Sequence, residues 1–375
     1  MTRRRTALAI ALAVTAAIPL GACGSDDPVN HPWRPGGTGT PQVAAPEAQG
    51  DLSGSLDGAG ASSQESAMQA WIAGFGSAYP DVVVGYDPVG SGGGRTQFVE
   101  GGVAFAGSDA PLDESELEAA AARCAPGDVA ELPLYVSPIA VVFNLEGIEA
   151  LTMSPATVAG IFARTITRWD APEIAAENPG VALPDLAITP VNRSDESGTT
   201  ENVTEYLAAA APQAWPHEPS GNWPFSGGQS AQGTSGVVQT VTDGTGTIGY
   251  ADASKAAGLG TVALVVGDEA VLPTPEAAAA VVDASPRAPG RPATSLVVEL
   301  DRTTTAPGTY PMVLVSYTVA CTAYDDAGTA GLVEAFLAYV VSEAGQATAA
   351  QAAGSAPVSD TLREQVLAVV EGIAP

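Results

Sequence analysis

The segment Arg193-Ser194-Asp195-Glu196-Ser197-Gly198-Thr199-Thr200 sets one guanidinium a few residues before a Ser-Gly-Thr turn. Arg supplies a forked, permanently charged donor. Ser197 and Thr199 supply hydroxyls, and Gly198 lets the main chain come close to a ligand. The residues that follow, Glu201 to Ala211, read as a helix. Its start turns unpaired N–H groups and a partial positive charge toward the same spot. This combination suits a small tetrahedral oxyanion.

Two further loops carry the same chemistry. Gly58-Ala59-Gly60-Ala61-Ser62-Ser63 and Gly90-Ser91-Gly92-Gly93-Gly94 each precede a predicted helix. If the three loops converge, three helix N-termini aim at one point. Taken singly, each is compatible with an ordinary glycine turn. The second loop lacks the Lys-Ser/Thr ending of a nucleotide P-loop, and the first lacks the third glycine of a dinucleotide fingerprint, which disfavours nucleotides.

Asp109 follows a predicted strand and precedes Ala110-Pro111. An ionised carboxylate only accepts hydrogen bonds, so beside an anion it is useful if the anion carries a proton. A fully deprotonated anion such as sulfate would be repelled. The competing role for Asp109 is to cap the helix after Pro111 or to close a turn. Another oxyanion, arsenate included, fits the same groups. A serine hydrolase with Ser197 as nucleophile needs a general base. The two histidines are His31 and His217, and no nucleophile-elbow pattern surrounds Ser197. No His/Cys/carboxylate cluster has metal-ligand spacing, so neither a metal nor a cofactor is expected.

These groups need a scaffold. After Asp51, strands alternate with helices: strands at 52–56, 82–86, 103–107, 139–144, 186–192 and 313–318, and helices at 64–79, 95–100, 113–123, 155–162, 200–211 and 275–282, with a mostly helical tail over 328–373. That alternation indicates an α/β protein, in which ligands sit beyond the carboxyl ends of strands. Arg95, a second cation near the Gly-rich loop at the start of its short helix, reads as a solvated residue, with reach into the site as the alternative.

The chain of 375 residues carries 42 acidic against 14 basic side chains, for a net charge of -28. No basic face for nucleic acid is present. Long-range steering of anions is disfavoured too, so an anion site must rely on local dipoles and one or two placed arginines. Residues 1–22 read as a leader: Arg3, Arg4 and Arg5, an apolar stretch to Leu20, then Leu20-Gly21-Ala22-Cys23. Small residues before a cysteine look like a bacterial lipobox, which implies cleavage before Cys23 and lipid (palmitate-type) attachment to its thiol. Residues 23–50 are rich in Pro and Gly without periodicity and read as a flexible tether. Cys124 and Cys321 remain as an even pair, which in an exported chain suggests a disulfide, with two buried thiols as the alternative.

The motifs at Gly58–Ser62, Gly90–Gly93, Gly107-Ser108-Asp109-Ala110-Pro111 and Arg193–Thr199, with 151–162 through Arg168-Trp169 and with Gly246-Thr247-Ile248-Gly249-Tyr250, occur in an order that resembles the phosphate-binding proteins. These are the substrate-binding subunits of high-affinity phosphate ABC transporters. The resemblance spans about Asp51 to the C-terminus. It implies a two-lobed, type II periplasmic-binding-protein fold with a hinge of two chain crossings, lobe I comprising 51–137 and 307–375 and lobe II 138–306. It implies phosphate contacts at Ser62, Ser63, Ser91, Asp109, Arg193, Ser197, Gly198 and Thr199, with those of Ser63 and Gly198 made by main-chain N–H. Asp109 would accept the phosphate proton and Asp195 would orient Arg193. Membrane permease subunits, a lipid-anchored extracytoplasmic location and the absence of catalysis are implied likewise. Where many family members have Thr-Phe-Pro after Gly-Ala-Gly-Ala, this chain has Ser62-Ser63-Gln64, which keeps the hydroxyl and changes the packing beside the ligand.

Overall fold

The computed structural model describes residues 52–226 and 228–375. The expected leader and tether, with Cys23 and His31, lie outside the described residues. No described helix is long and apolar enough to cross a membrane.

The chain opens with Gly54–Gly60 (β1), Glu65–Ala78 (α1), Val82–Asp87 (β2), Ser91–Val99 (α2), Phe105–Ser108 (β3) and Glu114–Cys124 (α3). A long strand, Val129–Phe143 (β4), follows. Beyond it come Ala150–Met153 (β5), Pro155–Phe162 (α4), Pro172–Glu177 (α5), Thr189–Arg193 (β6) and Gly198–Ala210 (α6). Then come Gln229–Ala231 (β7), Gly233–Asp243 (α7), Thr247–Asp252 (β8), Gly260–Val266 (β9), Glu269–Val271 (β10) and Pro275–Ala284 (α8). The return strand Val313–Cys321 (β11) leads to Ala327–Val341 (α9), Glu343–Ala353 (α10) and Asp360–Val370 (α11).

The main path of the sheet runs β2-β1-β3-β11-β4-β8-β6-β7, with β9 joining β4 to β5 and β10. Parallel pairs β1/β2, β1/β3, β6/β8 and β6/β7 make up the two ends of this path, and antiparallel β11 and β4 join them. β4 and β11 are buried over their whole lengths and largely apolar, as befits central strands. β4 pairs with β11 from Val129 to Pro138, then with β8 from Ile139 to Phe143. The change of partner falls at Pro138, which has no N–H to give a ladder. The sheet thus has two halves threaded by the same strand.

Each half is packed by amphipathic helices. In α1 the buried residues Ala67, Met68, Trp71 and Phe75 form one stripe, and the Trp71 indole N–H donates to Gly345 O at 2.8 Å. Cys124 and Cys321 are disulfide-bonded, which ties the end of α3 to the end of β11.

Most expected elements appear with shifted ends. The largest difference is β4, expected at 139–144 but running from Val129 to Phe143. The helix α2, expected from Arg95, begins at Ser91, so that Gly92, Gly93 and Gly94 belong to its first turn. The glycines are there for close approach. A Cβ on Gly94 would lie 2.4 Å from Gly60 Cα, so this helix packs directly on the end of β1.

Candidate functional site

The loops singled out in the sequence lie at the carboxyl ends of parallel strands: 61–63 after β1, Gly90 and Ser91 after β2, Asp109 after β3, and 194–199 after β6. Such edges are where α/β sheets bind ligands. Ser62, Ser63, Ser91, Asp109, Arg193, Ser197, Gly198 and Thr199 are all buried, although all eight are polar or glycine.

Asp109 is the centre of a network that joins the two halves. Its Oδ1 accepts from Ser63 Oγ at 2.6 Å, and its Oδ2 accepts from Thr199 Oγ1 at 2.8 Å. Its main-chain N–H donates to Ser91 Oγ at 3.2 Å. The capping role weighed for this residue falls to Asp113, which forms a capping box with Glu116 at the start of α3. Burial pushes the Asp109 carboxyl above its ordinary value, against the hydrogen bonds from Ser63 and Thr199 and the charge of Arg193.

Gly198 needs to be glycine. A Cβ there would lie 2.7 Å from Ser91 Oγ and 2.8 Å from Ala110 N, so the start of α6 meets the opposite loops with no room for a side chain. Gly90, at φ 96°, turns the chain into α2 in a conformation that favours glycine. Ser197 is the N-cap of α6, and its Oγ accepts from Thr200 N at 3.2 Å. His217, the histidine weighed as a base for Ser197, lies edge-on to Trp215 and Phe225.

Arg193 is 3% exposed. Asp195 grips it as a fork, accepting from Nε at 2.8 Å and also from Nη2. Asp195 Oδ1 accepts in addition from Gly233 N at 3.0 Å. Partial burial works against the charge of Asp195, yet the Arg193 guanidinium and these donors hold its carboxyl below the usual range. The pairing expected from the sequence is therefore formed, and it sets the plane of the guanidinium.

Ser62 faces Thr234, a residue not among those expected at the site. Its Oγ accepts from Thr234 N at 3.0 Å and lies 3.1 Å from Thr234 Oγ1. Gly233 and Thr234 open α7, so a fourth helix N-terminus joins those of α1, α2 and α6. The signal was present in Gly233-Thr234-Ser235-Gly236, the same Gly/Ser/Thr turn before a helix as in the other loops. Asn202 was also missed. It lies inside α6, where no turn chemistry marks it, yet its Nδ2 donates to Asp109 O at 2.7 Å and to Gly198 O at 2.8 Å.

Arg95 is a correction. It was expected in solvent but is 5% exposed. Its Nε donates to Glu116 Oε1 at 2.8 Å, its Nη1 to Ser108 Oγ at 3.1 Å, and its Nη2 to Glu196 Oε1 at 2.9 Å. Because α2 begins at Ser91, Arg95 sits in its second turn, where the side chain reaches across to the Arg193–Thr199 loop. Four helix starts, many hydroxyls and the Arg193 guanidinium lie around a buried carboxylate, a chemistry suited to an anion that brings its own hydrogen-bond donor.

Comparison with known proteins gives the same direction. A family model described as a PBP superfamily domain matches residues 45–344. Phosphate-binding protein PstS 3 of Mycobacterium tuberculosis (strain ATCC 25618 / H37Rv) is 33% identical over 382 residues, covering 100% of both chains. Phosphate-binding protein PstS2 of Mycobacterium bovis (strain BCG / Pasteur 1173P2) is 32% identical over 387 residues, covering 99% of each. Among solved structures, a high affinity periplasmic phosphate-binding protein (PfluDING) bound with phosphate superposes with a TM-score of 0.67 at 22% identity, covering 84% of this chain and 93% of that one. A phosphate binding protein from Stenotrophomonas maltophilia gives a TM-score of 0.67 at 20% identity, over 84% and 94% of the two chains. At these identities the structural likeness is one of fold.

Proposed function

The chain belongs to the PBP superfamily and, within it, to the phosphate-binding proteins, and from that premise we propose that it captures inorganic phosphate outside the cytoplasm and delivers it to an ABC importer. Its fold is the mixed α/β, two-lobed periplasmic-binding fold expected from the sequence. We assign 51–137 with 307–375 to lobe I and 138–306 to lobe II. The change of partner of β4 at Pro138 supports that boundary.

The observation that carries the reading is the buried Asp109 carboxylate, held as an acceptor among hydrogen-bond donors from both lobes. A dihydrogen- or monohydrogen-phosphate supplies the P–OH that this acceptor wants, while sulfate at neutral pH has none. On entry, phosphate would take donors from Ser62, Ser91, Ser197 and Thr199, from the N–H groups of Ser63 and Gly198, and from the Arg193 fork that Asp195 orients. Binding energy then comes from many short hydrogen bonds in a dry cleft, and the chain's negative net charge does not enter. No residue is assigned a catalytic role. Cleavage and lipid attachment at Cys23 would keep the protein on the outer face of the cell membrane, beside the permease subunits that receive phosphate.

The test is retention of radiolabelled phosphate by the purified chain, with sulfate and arsenate as competitors. Phosphate bound and not displaced by excess sulfate is expected. Label displaced equally by sulfate would contradict the role given to Asp109, and no retention would contradict the function.

A further inference from the structure

Behind the phosphate site, a chain of polar contacts joins the loops of both lobes to the returning strand. Asn202 is 4% exposed and Arg302 7%. The Asn202 amide has an unambiguous orientation. Its Nδ2 faces two carbonyls, Asp109 O in lobe I and Gly198 O in lobe II. Its Oδ1 faces the opposite way and accepts from Arg302 Nη2. Arg302 is itself fixed: Nη2 also donates to Glu205 Oε2 at 2.9 Å, and Nη1 donates to Pro311 O at 3.0 Å and Val313 O at 2.6 Å, at the start of β11. A guanidinium requires an acceptor opposite it and a pair of carbonyls requires a donor, and only an amide offers both at this spacing.

We propose that Asn202, held by Arg302, is a positioning residue for phosphate recognition: it clamps the main chain of Asp109 against that of Gly198 and so sets the distance between the two jaws of the site. This rests on the phosphate reading above. Where Gly198 meets Ser91, Asp109 and Ala110 the fit is tight, but behind that contact the loops are not packed together. Asp109, Asn202, Glu205, Arg302 and Tyr317 border a cavity of about 530 Å³, so the polar chain is what bridges the loops on that side. The bond to Gly198 stays within α6, whereas the bond to Asp109 crosses between lobes. Loss of the donor therefore weakens the closed arrangement with little effect on either lobe by itself. It also loosens the placement of the one carboxylate that reads the phosphate proton.

Asn202→Asp tests this with the shape kept. The carboxylate still pairs with Arg302 but turns an acceptor toward both carbonyls. Stopped-flow binding of phosphate should show a dissociation rate raised about tenfold or more, as expected for a lost buried hydrogen bond, with the association rate unchanged. Preference for phosphate over sulfate should narrow, and the melting temperature of the phosphate-free protein should hold. Arg302→Lys, which keeps the charge and loses the fork, should move the dissociation rate in the same direction, and it decides the matter if Asn202→Asp fails to fold. Wild-type dissociation rates and sulfate rejection in the folded variant would overturn the proposal. If the wild-type chain itself does not bind phosphate, it is the function that fails and not the clamp alone.

Discussion

Thr199 Oγ1 donates to Asp109 Oδ2 at 2.8 Å across 90 residues of sequence and from one half of the sheet to the other. Ser63, from the same half as Asp109, donates to the second oxygen. The carboxylate is thereby oriented by one hydroxyl from each side. In the proposed site, a carboxylate held in this way would discriminate by what it cannot do: it would accept a proton-bearing oxygen and repel a bare one.

Asp109→Asn replaces the acceptor pair with an amide that can donate. Phosphate affinity should fall, and sulfate affinity should rise from undetectable to measurable, because the amide N–H can bond an unprotonated oxygen. A site built around a substrate hydroxyl can reject an analogue lacking it by on the order of 10⁴-fold, which sets the size of preference at stake. Competition binding of the two anions measures it, and unchanged discrimination would remove Asp109 from the account.

Arg193 and Asp195 separate charge from orientation. Arg193→Met deletes the charge-assisted bonds and should weaken phosphate binding on the order of 10²-fold or more. Asp195→Asn leaves the guanidinium present but loosens its plane, so a smaller loss of about tenfold is expected. Equal losses from the two would mean that Asp195 itself contacts the ligand.

The loops of the candidate site could be read before the structure because turn chemistry and helix starts leave local marks: Ser-Gly-Thr at the start of α6, Gly-Ser-Gly at the start of α2, and a lone Asp after β3. Alternation of strands and helices indicated the α/β class. What stayed hidden depends on contacts distant in sequence. Arg95 looks like any helix-start cation until Glu196, 101 residues on, is brought against it. Asn202 is a polar residue in mid-helix whose partners lie 93 and 100 residues away. The helical glycines of α2 read as a loop because their reason, the approach of Gly60, comes from another strand. Gly233-Thr234 carried the same mark as the other turns and was passed over.

Arg95 and Glu196 form an ion pair between the lobes at the edge of the site, with the Glu196 side chain 48% exposed. With Arg95 buried and Glu196 half in solvent, the pair is screened from one side and should couple by about 1 kcal/mol. A double-mutant cycle of Arg95→Met and Glu196→Gln on phosphate affinity should therefore give a coupling of less than about tenfold, shrinking at high salt. A larger, salt-insensitive coupling would place Arg95 on the ligand itself.

Glu201 offers a pH test. Burial pushes its carboxyl from the ordinary 4.5 to about 7, partly offset by Arg95 and reinforced by Glu205, Glu116 and Glu196. Between those values the folded chain keeps a proton that the unfolded chain has lost, so this group's contribution is complete at low pH and is lost as pH rises toward about 7. Glu201→Gln should consequently stabilise the protein at pH 8, by on the order of 3 kcal/mol at most, and give no gain at pH 4. Urea unfolding of both proteins at the two pH values checks it, and a pH-independent difference would contradict it.

The central claim, that the site takes phosphate because phosphate carries a proton, is tested most directly by calorimetric titration of the folded domain at neutral pH, first with phosphate and then with sulfate. One equivalent of phosphate bound with heat, and none from sulfate, is the predicted result. Silence with phosphate, or equal binding of both anions, would contradict it.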